Sequence, residues 1–111
     1  MNYRLFFVLL LASFSKVHAQ KIYAEKLPIK TTTASHPQNT LIYLPAGYSK
    51  EKTYPLVVYL HGNGQAGTDI NKLYATGLPK VLRDGYKPPF DFIMLAPQSD
   101  RYGVPPQWLP D

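Results

Sequence analysis

The stretch most able to do chemistry is Leu60-His61-Gly62-Asn63-Gly64-Gln65-Ala66-Gly67, a glycine-rich run directly after the most apolar β-type segment of the chain. When an ester carbonyl becomes tetrahedral its oxygen gains negative charge, and fixed backbone N–H groups aimed at that oxygen lower the barrier. A loop leaving a strand can supply such a donor, provided its backbone lies close to substrate where a Cβ atom would obstruct. Other chemistry is scarce. Cysteine is absent, which excludes disulfides, thiol catalysis, cysteine-ligated metal and the lipid-anchored form of bacterial export signal. Beyond residue 19 the only histidines are His36 and His61, far apart and without clustered acids, so neither a metal nor a cofactor is expected.

The elements that must position this loop can be read from the apolar runs. Residues 56–60, Leu-Val-Val-Tyr-Leu, form a continuous apolar run of the kind a parallel strand shows when both its faces are covered. Residues 90–96 form a second such run, and a helical connection between the two predicts a βαβ unit. Thr68 or Asp69 can cap a helix after the loop, Gly77 and Pro79 interrupt that helix, and Pro79 opens a short one over residues 80–84 that Gly85 ends. Residues 40–44 are a short β-favouring run closed by Pro45-Ala46-Gly47-Tyr48. Residues 20–39 are polar and mixed, an edge strand or loop. From Pro97 onward the chain reads as loop, with a proline-rich end.

The first 19 residues read as an export signal. Arg4 gives the positive n-region, residues 5–14 the apolar h-region, and Val17-His18-Ala19 the small-residue cleavage site, so Gln20 is expected to begin the mature chain. An apolar stretch half the roughly 20 residues that cross a bilayer does not span one, and no later segment does. The 111-residue chain carries a formal charge of +5. Loss of Arg4 and Lys16 with the signal leaves the remaining charge spread along the chain, with no basic stripe for nucleic acid.

Tyr43-Leu44-Pro45-Ala46-Gly47-Tyr48, then Tyr54-Pro55-Leu56-Val57-Val58-Tyr59-Leu60-His61-Gly62, is similar to secreted α/β-hydrolase esterases: carboxylesterases and proteins like dienelactone hydrolase and polyhydroxybutyrate depolymerase. The resemblance continues through Gly77-Leu78-Pro79, Ala96-Pro97-Gln98 and Trp108, and covers residues 40–111. It implies an α/β fold, the N-terminal part of a mostly parallel sheet flanked by helices, in an exported, periplasmic or secreted serine hydrolase of small or polymeric carboxylic esters. It further implies that the backbone N–H of Asn63 donates to the oxyanion, that Gly62 and Gly64 shape the turn, and that His61 supports the loop. The family also needs a Gly-x-Ser-x-Gly elbow and a later histidine. Ser35, Ser49 and Ser99 lack the flanking glycines and no histidine follows His61, so a truncated, inactive fragment is expected.

Three other readings stand beside this one. Gly62-x-Gly64-x-x-Gly67 fits the dinucleotide fingerprint, which requires a sound helix opening at the glycines. The loop can equally be a plain strand-to-helix turn, or the chain a short exported binder that catalyses nothing. Trp108 lines a substrate pocket or is buried beneath further structure, while Tyr43, Tyr54 and Tyr59 read as strand-borne packing.

Overall fold

The computed structural model describes residues 18–30 and 35–99. The expected export signal, apart from His18 and Ala19, lies outside these residues, as does Trp108. The described chain forms strands β1 (Lys21–Lys30), β2 (Ser35–Leu44) and β3 (Leu56–Val58), two 3-10 helices (Asn63–Gln65 and Ile70–Tyr74), helix α1 (Gly77–Arg83) and strand β4 (Ile93–Pro97). They build one four-stranded sheet in the order β1-β2-β4-β3. β1 pairs antiparallel with β2 from Lys21↔Leu44 to Lys30↔Ser35, and β2 pairs antiparallel with β4. Only β3 and β4 run parallel, over Leu56↔Ile93 to Val58↔Leu95.

This corrects the expected fold class. The sheet is mixed and mainly antiparallel, with one helix among the described residues, rather than a mostly parallel sheet flanked by helices. Two physical causes stand out. The polar segment before residue 40 is recruited as a full-length strand by its backbone ladder to β2, which needs little apolar burial at the sheet edge. Among the described residues, meanwhile, helical cover reaches only one face. Leu73 and Leu82 from the helical side pack with Leu41, Tyr43, Met94 and Ala96 from the sheet, joined by Phe92. Because successive strand side chains alternate between faces, the opposite face takes Leu56 and Val58, which are 59% and 54% exposed. The run expected to be the most deeply buried strand is thus the shortest and a half-open edge.

Local signals explain the connections. Asp69 accepts from the Asn71 N–H at 3.0 Å and caps the second 3-10 helix. α1 begins at Gly77, two residues ahead of Pro79, which fits in the first turn because its missing N–H has no helical partner there. Its C-terminus is closed by Gly85 at φ +94°, a conformation costly for any residue with a Cβ.

Candidate functional site

Because β3 and β4 are parallel, their C-terminal ends lie at the same edge of the sheet, and the glycine-rich loop and the Gln98-Ser99 dipeptide leave from that edge together. The two segments hold each other. His61 Nε2 accepts from the Ser99 N–H at 2.8 Å, which places the ring proton on Nδ1, where it donates to the Gly62 carbonyl at 2.6 Å. Both ring nitrogens are therefore engaged in fixing the loop, and neither is offered to a substrate. The Gly67 N–H donates to the Ser99 carbonyl at 2.8 Å.

Gln98 is the brace that sequence reasoning missed. It is buried to 1% exposure, and its Nε2 donates to the Gln65 carbonyl at 2.9 Å and the Asp69 carbonyl at 2.7 Å. Its own N–H donates to Asn39 of β2, whose side-chain amide in turn reaches the Thr68 carbonyl. One signal for it stood in the sequence: a glutamine placed directly after an apolar strand, where a buried amide needs partners. Two further contacts hold the loop from behind, Lys72 Nζ to the Ala66 carbonyl at 3.3 Å and Gln65 Nε2 to Thr76 Oγ1 at 3.2 Å.

Within this frame Gly62, Asn63 and Gly64 are exposed and His61 is half-buried. Gly62 is the N-cap of the first 3-10 helix, and its carbonyl accepts from the Gln65 N–H at 3.1 Å. The preceding N–H groups, of Asn63 and Gly64, belong to the first turn, where a helix supplies no acceptor. They are the donors this loop can present to an anion.

The glycines play a different part from the one expected. Gly62 has φ −81° and ψ 174°, ordinary extended backbone, and Gly64 is not among the glycines of positive φ. A Cβ on Gly64 would meet nothing within 4 Å, and one on Gly62 would meet only the flexible end of Gln65 at 3.3 Å. Folding therefore does not require glycine at Gly64, and at Gly62 a Cβ asks that the Gln65 side chain give by a few tenths of an ångström. Only Gly67, at φ +129°, is demanded by the turn itself.

The dinucleotide reading fails on the helix it needs. Gly62-x-Gly64-x-x-Gly67 opens a short 3-10 turn, and the α-helix among the described residues starts later, at Gly77. Among the described residues no group of three or more histidine, aspartate or glutamate side chains is placed to hold a metal ion, and no helix is long and apolar enough to cross a membrane. The concavity of about 260 Å³ bounded by Ala24, Glu25, Lys26, Asn39, Thr40 and Ile70 is not lined by the glycine loop. Comparison with known proteins finds no matching family model, no similar curated protein and no similar solved structure.

Proposed function

We propose that this chain carries the oxyanion loop of an exported serine hydrolase that cleaves carboxylic esters, with the Asn63 N–H as donor. The reading rests on a contrast within the loop. Gly62 and Gly64 stand either side of Asn63 in an exposed first turn, yet neither glycine is needed for the backbone conformation. Side chains absent without a folding reason leave room for a reacting group to approach the backbone closely. The brace of His61, Gln98 and Ser99 supports the same reading, because a donor lowers a barrier only when it is already fixed where charge develops.

The reading requires a serine nucleophile on a Gly-x-Ser-x-Gly elbow and a later histidine base, neither of which these 111 residues contain. In the complete enzyme the serine Oγ attacks the ester carbonyl and the oxyanion rests against the Asn63 N–H. The alcohol leaves, and water then releases the acid from the serine ester. Export follows from the leader over residues 1–19, cut between Ala19 and Gln20.

The test uses protein produced from the complete reading frame, offered aryl esters of short acids and, separately, a fluorophosphonate that labels activated serines. A burst of phenol followed by steady turnover, with one labelled serine, is the expected result. Absence of both turnover and labelling would leave an exported binding protein in its place.

A further inference from the structure

Gln20 is the first residue of the chain once the leader is removed after Ala19, and its side chain is not idle. Its Nε2 donates to the carbonyls of Leu82 at 3.2 Å and Tyr86 at 3.1 Å, which lie at and just beyond the C-terminus of α1. Its Oε1 lies 3.5 Å from the hydroxyl of Tyr43, which donates to it. One carboxamide thus ties the start of β1 to the end of α1 and to the buried tyrosine of β2.

An N-terminal glutamine has a reaction open to it that an internal one lacks. The α-amino nitrogen attacks Cδ, the bond from Cδ to Nε2 breaks, and the carboxamide nitrogen takes up the proton shed by the amine and leaves as ammonia, closing a five-membered lactam. The geometry points to Gln20 as a modification site gated by folding: the docked carboxamide keeps the mature N-terminus an open glutamine, and undocking or unfolding releases it to cyclise. The two states exclude each other, because the lactam has lost the nitrogen that donates to Leu82 and Tyr86. This inference rests on the proposed cleavage between Ala19 and Gln20.

Two donated hydrogen bonds must break before the ring can close, so the folded protein cyclises more slowly than the unfolded one by roughly tenfold or more. The experiment follows the exported protein, produced from the full chain with its own leader. Its N-terminal peptide is released by cleavage after Glu25 and weighed after incubation in buffer or in urea. Loss of one ammonia that is slow in buffer and fast in urea is expected, with Tyr43→Phe intermediate because it removes one of the hydrogen bonds to the carboxamide. Equal rates in buffer and urea for a chain that begins at Gln20 would overturn the gating alone. A chain that begins at any other residue would overturn the cleavage site and the inference together.

Discussion

Gly64 and Gly67 stand in the same loop but ask different things of their backbones. Gly67 sits at φ +129°, where an L side chain is strained whatever the space around it, whereas Gly64 has ordinary backbone and open surroundings. Gly67→Ala is expected to destabilise the fold by about 1 kcal/mol or more. Gly64→Ala should stay within about 0.5 kcal/mol of wild type. Urea unfolding midpoints measure both, and equal losses would show that Gly64 has a folding role after all. Tyr43 offers a second check at this scale. Burial, and then the negative charge of Asp91, raise its hydroxyl above the ordinary value of 10.0. A group whose folded value is raised contributes stability that is complete below its unfolded value and is lost as pH rises toward the folded one. Stability should therefore fall above about pH 10. Tyr23 and Tyr74 are raised by burial as well, so Tyr43→Phe should make that fall shallower without abolishing it. The roles of His61 and Gln98 show where sequence legibility ends for single residues. Support of the loop by His61 is what the family resemblance implies, but its partner Ser99 is remote in sequence, and the parallel pairing of β3 and β4 brings the two together.

Among the elements, those announced by local chemistry were legible, as was the parallel pairing of β3 with β4 across a helical connection, whereas the antiparallel edge strand β1 was not. Proline at a first turn and glycine beyond a last turn marked α1 to within a few residues, and apolar runs marked the cores of β2 and β4. β1 gave almost no signal of its own because its stability comes from the ladder to β2, and composition does not report a partner. Residues 56–60 are less buried than their apolar composition predicts, since an apolar run states what a segment prefers and not whether anything covers it. The junction of β3 with α1 carries its own test. Gly77 lies at φ +68° beside the Tyr59 side chain, and a Cβ there would clash with its phenol oxygen. Gly77→Ala combines backbone strain with a clash and should cost about 2 kcal/mol, more than Gly67→Ala, whose nearest neighbour is the mobile end of Lys72. Thermal unfolding of the two variants side by side decides the order. A smaller loss at Gly77 would mean that Tyr59 swings aside at little cost.

At the scale of the whole molecule, the described sheet has one covered face and one edge, β3, that is neither charged nor blocked by proline within the strand. Leu56, Val58 and Leu60 are all more than half exposed along it. Edges of this kind invite pairing with other chains. Val58→Lys should therefore lower the light scattering of concentrated solutions while leaving the unfolding midpoint nearly unchanged, because the side chain it replaces already faces solvent. A lowered midpoint would instead reveal that Val58 is covered in solution. In the same sheet, the pairing of β3 with β4 fixes the loop carrying Asn63.

An oxyanion role for Asn63 is tested by exchanging it in protein from the complete reading frame. Proline removes the N–H yet suits the first position of a helix, and Gly62 before it already has the extended backbone that proline requires. Alanine at the same position keeps the N–H. The measurement is kcat for an aryl ester. With Asn63 as oxyanion donor, Asn63→Pro should lose roughly a hundred- to a thousandfold while Asn63→Ala stays near wild type. Equal rates for the two variants would contradict an oxyanion role for this loop.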